Sequence, residues 1–449
     1  MTISAEEQYL LELINRARLD PLAEAERYAL SLNSGLTSGT ISSSAKQVLA
    51  HNHLLEDAAQ QHSDWMLRTN TFSHTGQGQS SPGDRMVDAG YDFYGRWSWR
   101  ENLAWTGTTS NLNLQAAIEA HHEGLYRSEG HRVNTFAADV NEIGVAQVRG
   151  DFSNGGTTFN ASMLTLNFAK SGSETYLTGV AYRDADGDGF YDVGEGRDGL
   201  SIGLNGDVVS SASAGGYGIE ATPASDAQVT LRSGGEVLAV LEVDLSSQNA
   251  KLDYVIDPTN TGWIYLSANA DLESGVAHAK LLGVGNLDLS GFDGDNLLIG
   301  NSGRNRLDGE GGDDEIYGGG GRDLGWGSAG TQTNADILLG GDGDDVLRGQ
   351  SGADSLDGEG GNDILIGGSG RDTFIFNNGS DTIKDFAPNV DVLVIEVTEL
   401  GYSELTFADL DTFMFYDDGN LGLRFSDTDE LIMNGIGSLG DIANDISIA

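Results

Sequence analysis

Residues 340–375 read GGDGDDVLR GQSGADSLD GEGGNDILI GGSGRDTFI: units of nine with glycine at the first and fourth places, aspartate at the sixth and an apolar residue at the eighth. Carried back to Gly291, the frame gives GFDGDNLLI, GNSGRNRLD, GEGGDDEIY and GGGGRDLGW. A unit opening at Gly327 then carries a four-residue insertion, GSAGTQTNADILL. Glycine at the first, second and fourth places permits a tight loop with positive φ. The sixth place supplies a carboxylate at Asp314, Asp323, Asp336, Asp345, Asp354, Asp363 and Asp372, and the eighth a core residue, as at Leu307, Ile316, Leu347, Leu356, Leu365 and Phe374. Each unit has room for one loop and one short strand. Stacked units must therefore share a thin core, which predicts a parallel β-roll whose successive loops alternate between two edges.

Carboxylates and carbonyls from loops two units apart would supply about six oxygens, the donor set that a hard cation such as calcium prefers. Without the cation the stacked carboxylates repel one another, so folding and calcium binding are expected to be one event. The in-register apolar eighth place argues against a flexible Gly/Asp-rich linker. Asn296 and Asn305 replace the carboxylate in the first two units, and Gly325 replaces the apolar residue in the fourth. Weaker calcium binding is expected at those turns and at the interrupted fifth unit.

The chain has 449 residues and a formal charge of −45. Its length implies several domains. Residues 1–172 hold 12 basic and 19 acidic side chains, and residues 173–449 hold 12 and 50, so the excess acid is C-terminal. Such a field repels nucleic acid and attracts divalent cations. There is no cysteine, which removes disulfides and thiolate chemistry. The first residues lack the basic and apolar pattern of a Sec signal, and no stretch approaches the roughly 18 apolar residues of a membrane span, so no transmembrane segment is expected.

Five zones follow from pattern. Residues 1–172 read as mixed α/β: a Ser4/Glu7 capping box precedes helical spacing of Leu10, Leu13, Ile14 and Ala17, further helices are expected over 44–69 and 111–126, and strands over 143–148 and 157–168. Residues 174–257 read as a small β-sandwich. Within it, DADGDGFYDVGE places Asp184, Asp186, Asp188, the Phe190 carbonyl, Asp192 and Glu195 at the EF-hand ligand positions, with Gly189 at the turn, so calcium is expected there too. Residues 258–290 read as a connector, 291–375 as the β-roll, and 376–449 as a β-rich cap.

The nonapeptide resembles the calcium-binding repeat of RTX (hemolysin-type) proteins. That resemblance implies export by a type I secretion apparatus through a C-terminal signal, and folding in extracellular calcium. The middle zone resembles the SdrD B-like sandwich domains of bacterial surface proteins and would space the first zone from the repeats. LLELINRARLDP, WMLRTNTFSHTG, GDRMVDAGY, ENLAW, SEGHRVN and NEIGVAQV, in that order over residues 5–170, resemble the CAP superfamily (SCP/TAPS), whose fold is an α-β-α sandwich. The resemblance implies a cleft built from His74, Glu101 and His131, with Glu123 ahead of Glu119 and Glu129 as a second glutamate, and a divalent metal such as zinc on His74, His131 and Glu101.

Two imidazoles with carboxylates suit a borderline metal and could polarise water, and they equally suit ligand binding. No H-E-x-x-H or G-x-S-x-G spacing supports an enzyme. The functional expectation is thus a secreted calcium-binding protein whose CAP-like cleft binds an extracellular ligand. A metal-assisted extracellular hydrolase and an adhesive matrix protein stand as alternatives. Trp97 and Trp99 are expected to pack rather than to serve a ligand.

Overall fold

The computed structural model describes residues 3–328 and 335–449. Contacts divide the chain into Met1–Leu238 with Val243–Ser267, and Ala239–Glu242 with Ala268–Ala449.

The first unit opens with α1 (Ala5–Leu19), held by the expected capping box: the Glu7 amide donates to Ser4 Oγ at 3.2 Å and the Ser4 amide to the Glu7 carboxylate at 2.9 Å. α2 (Pro21–Arg27), β1 (Ala50–His51), α3 (His53–Thr69), α4 (Pro82–Asp88), β2 (Ser98–Thr108), α5 (Leu114–Arg127), α6 (Glu129–Thr135), β3 (Glu142–Asn154) and β4 (Thr157–Lys170) follow. The helix expected from residue 44 starts only at 53, because Asn52 caps it by accepting from the Leu54 amide at 2.9 Å. The sheet order is β1-β3-β4-β2. Leu10, Ile14, Ile118 and Leu125 pack on Val145, Leu164 and Leu166 in one core cluster. Two others join Leu55 to Ala169 and Met66 to Leu103 and Met163, giving the α-β-α layering. Gly144 makes this layering possible, since a methyl group there would overlap the Leu55–Glu56 backbone of α3.

β5 (Thr175–Arg183), β6 (Ser201–Leu204), β7 (Asp207–Ser210), β8 (Gly216–Ala221), β9 (Ala227–Ser233), β10 (Glu236–Val243), β11 (Ala250–Ile256) and β12 (Gly262–Leu266) build the middle zone. In the first unit they form the rows β8-β5-β11-β12 and β7-β6-β9. The β6, β8 and β9 strands alternate buried and more exposed residues, whereas β11 is buried throughout. The second face of β11 turns to α1: the Lys251 ammonium binds Glu12 at 2.8 Å and also Asp253, and Asn249 donates to the Val48 carbonyl at 3.0 Å. The middle zone thus packs on α1 within the first unit.

In the second unit, parallel pairs match Leu289 with Leu307, Leu298 with Ile316 and Leu356 with Phe374. Across the fifth repeat Ile316 meets Leu338 and Gly325 meets Leu347, so the insertion leaves the strands in register. Most of that insertion lies outside the described residues. The space beside Gly325 is filled by Leu347, Leu338 and Ile316. The 258–290 stretch, expected as a connector, carries strands. Ala270–Gly275 and Asp288–Ser290 pair in parallel, and the latter continues to Arg306–Glu310. At the far end Ser380–Ile383 and Val392–Ile395 extend the coil, which Met414–Asp417, Asn420–Arg424 and Glu430–Met433 close with antiparallel pairs. The architecture is multidomain: a helix/sheet sandwich, a β-rich middle zone and a parallel β-solenoid.

Candidate functional site

The solenoid aligns its sixth-place carboxylates in buried ladders. Asp314, Asp323, Asp336, Asp345, Asp354, Asp363 and Asp372 are at most 2% exposed. Each accepts, through Oδ1, the amide of the sixth-place residue one coil earlier, as from Asn305 to Asp323 at 2.6 Å and from Asp354 to Asp372 at 3.1 Å. The second oxygens of Asp314, Asp323, Asp345, Asp354 and Asp363 are buried without a hydrogen-bond partner. Burial pushes these carboxyls up, to about 7 at Asp314, Asp323, Asp354 and Asp363 and to about 6 at Asp345. An anionic oxygen cut off from water and donors is costly unless a cation meets it. The donor set, carboxylate and glycine carbonyl, fits calcium.

Asp336 keeps its place despite the insertion: it accepts from the Asp314 amide at 2.8 Å, and its own amide donates to Asp354 at 2.9 Å. The interrupted unit therefore does not break the ladder. Asn296 and Asn305 occupy the first rungs as neutral amides, accepting from the Phe292 and Asn301 amides at 2.7 and 2.8 Å. Two further members, Asp381 and Asp391, lie outside the set read from the repeat frame. They accept from the Asp363 and Asp372 amides, each at 3.0 Å. Asp381 was legible as the sixth place of a tenth unit, FNNGSDTIK, whose missing first glycine hides it. Asp391 spends its other oxygen on the Ala387 amide at 2.7 Å and closes a turn.

In the 184–195 loop the carboxylates of Asp184, Asp186 and Asp188 have oxygens within 4.8 Å of one another. Asp184 accepts from the Gly187 and Gly189 amides at 2.7 and 3.0 Å, and Glu195 from Ala185 and Asp192 at 2.7 and 2.9 Å. These bonds curl the loop around its own acids. Burial, then Asp188 and Asp186, raise the Asp192 carboxyl, and burial raises Glu195, as happens when like charges lack a counterion. The Phe190 ring stands 6.2 Å from Tyr9 and 4.8 Å beneath the Arg16 guanidinium of α1. Glu119 acts on Tyr9 and on Asp192, so it faces this loop.

In the first zone Glu101 stands on β2 with its side chain 1% exposed. His74 lies on the turn after α3, where the Ser73 carbonyl meets His62 Nε2 at 2.9 Å. Its Nδ1 meets Glu101 Oε1 at 2.7 Å, while the ring stays 57% exposed. Arg85, from α4, binds the other oxygen of Glu101 and donates to the His74 carbonyl at 3.1 Å. Its role has no sign in residue spacing, although it sits in the GDRM segment. Asn102 donates to the His131 carbonyl at 3.0 Å, tying α6 to β2. Burial first, and then His74, lower the pKa of His131, so the two imidazoles share one field.

Glu123 ion-pairs with Arg127 at 2.7 Å on α5, and Glu129 lies against Gly35. His51, His62, His121 and His122 are each bound to a structural partner. Trp97 leans on Phe93 at 5.2 Å and Trp99 on Gly83, yet they remain 56% and 36% exposed. Among the described residues, Asp184, Asp186 and Asp188 form a group of carboxylates whose oxygens could hold a metal ion. A cation at Glu101 would have to displace the Arg85 guanidinium. Glu101 thus holds the His74 ring by Nδ1 and leaves the ring more than half exposed.

Residues 11–164 match the family model described as Cysteine-rich secretory protein family (CAP). Residues 290–324, 332–365 and 349–383 match the RTX calcium-binding nonapeptide repeat. Among solved structures, an extracellular protein containing a SCP domain from Bacillus anthracis str. Ames is 23% identical with a TM-score of 0.23, over 37% of this chain and 40% of that one. An outer surface protein from Borrelia burgdorferi is 17% identical with a TM-score of 0.25, over 38% and 97%. Extracellular lipase LipA from Serratia marcescens is 18% identical with a TM-score of 0.18, over 45% of each chain. The chain thus spans less than half of the first of these structures. No curated protein matches.

The two family matches support a calcium-binding extracellular protein. Specifically, it carries a CAP domain in its N-terminal third and RTX nonapeptide repeats in its C-terminal third. Neither family match reaches residues 174–257, so the SdrD B-like reading of that zone rests on the 184–195 loop alone. No helix among the described residues is long and apolar enough to cross a membrane.

Proposed function

We propose that this protein is secreted through a type I apparatus, folds its solenoid on extracellular calcium, and uses the CAP cleft at His74, Glu101 and His131 to bind an extracellular ligand. The observation that carries the binding reading is the state of Glu101. Both carboxylate oxygens are committed, one to His74 and one to Arg85. A carboxylate so held orients an imidazole. The exposed groups of this zone include the His74 ring and the Trp97 and Trp99 rings, which suit an amphipathic or cell-surface ligand. The RTX repeats support the export route, because a chain that needs calcium to fold stays extended in the calcium-poor cytosol. The 184–195 loop is a second calcium site in this reading.

The test is a titration of the calcium-loaded full chain with fatty acids, sterols and soluble peptidoglycan fragments, followed through the His74 ring resonances. Binding that His74→Ala and Arg85→Ala each weaken roughly tenfold, about 1.4 kcal/mol, is the expected result. Unchanged affinity in both variants would contradict a cleft built on Glu101.

A further inference from the structure

A second recess lies in the middle zone, on the face of the first unit's sheet formed by β5 and β11. Ala181 pairs with Tyr254 and Arg183 with Ile256 across these parallel strands, so their side chains share one face. Tyr182 and Val255, between them, point to the opposite side and are 1% and 0% exposed. The shared face helps line a cavity of about 300 Å³, together with Arg197, Asp198 and Glu236. The 195–197 segment is fixed to β5 by backbone bonds, Arg183 N–H to the Glu195 carbonyl at 3.0 Å and Arg197 N–H to the Ala181 carbonyl at 2.8 Å. Arg183 is braced by Asn260 Oδ1 at 2.9 Å. The Arg197 charge bears on the Tyr254 phenol.

The charges that line this cavity are two guanidiniums and two carboxylates, so they cancel. In a chain of net charge −45 this is a locally neutral place, and an ionic ligand gains nothing from it. What the cavity offers is strong donors and strong acceptors together with Ala181, Ile256 and the Tyr254 ring. A polyol matches that pattern: each hydroxyl both donates and accepts, and the ring carbons present apolar C–H faces to those three residues. The volume stands at the lower end of the roughly 300–1,000 Å³ of small-molecule sites, which suits a single ring. We propose that this cavity binds a neutral pyranose.

The full chain in calcium would be titrated calorimetrically with the methyl glycosides of glucose, galactose and mannose, and with glucuronate as the charged comparison. At least one neutral glycoside should bind with a Kd of about 1 mM or tighter, more tightly than glucuronate. Arg197→Ala and Asp198→Asn should each weaken that binding roughly tenfold, with far-UV circular dichroism unchanged. Three outcomes would overturn the proposal: no heat from any neutral glycoside, tighter binding of glucuronate, or full affinity in both variants.

Discussion

Inside the CAP domain the imidazoles divide into those that present a nitrogen and those that are consumed by structure. His121 belongs to the second kind. Its Nε2 lies 2.9 Å from Ser162 Oγ, and burial pushes its pKa down to about 4. An unfolded chain takes up a proton there below about 6.5, while the fold refuses one until about 4. The stability that neutral His121 provides is therefore complete above pH 6.5 and is lost as pH falls toward 4, by about 3 kcal/mol at most. Urea unfolding of the first unit across that window should show the slope, and His121→Gln should flatten it. The residues of the cleft were legible in part. His74 and Glu101 stand in short motifs and meet in the fold, but Arg85 is one guanidinium among many until the fold brings α4 against β2. Glu123 is held by its helical neighbour Arg127, a contact that i,i+4 spacing already announces.

Elements carry a different kind of information. The β3–α3 contact depends on one missing side chain. Gly144→Ala would push its methyl into the backbone of Leu55 and Glu56, where no rotamer change gives relief. A loss of about 2–4 kcal/mol in the first unit's unfolding free energy is expected, against a gain of about 0.5–1 kcal/mol for Gly124→Ala, which lies in α5 with open space around it. The 184–195 loop should lose one calcium equivalent in Asp188→Ala, read by metal content of the full chain. An unchanged stoichiometry would assign the loop's acids to backbone capping alone. The nonapeptide frame made the central coils readable because glycine, aspartate and leucine recur together. At residues 270–290 and 376–395 the glycines lapse, yet parallel pairing continues, since it needs only extended backbone and an apolar residue such as Leu289, Ile383 or Leu393 facing inward. β2 escaped notice because Glu101 and Asn102 are buried in mid-strand and interrupt the apolar alternation.

For the molecule as a whole, charge is the organising quantity. The acidic excess of residues 173–449 was plain in composition, but composition does not distinguish a solvated acidic surface from buried carboxylates. The structure makes that distinction: the sixth-place aspartates are interior groups, and several hold an oxygen with no partner. A solenoid built this way stands or falls with its counterions, whereas the first unit has apolar cores on both faces of its sheet. Hydrogen–deuterium exchange of the full chain, with calcium and then with a chelator, tests this most directly. Calcium removal should leave residues 291–395 exchanging like an unfolded chain while α1, β3 and β4 stay protected, and added calcium should restore the solenoid. Equal protection of residues 291–395 in chelator and in calcium would contradict the account.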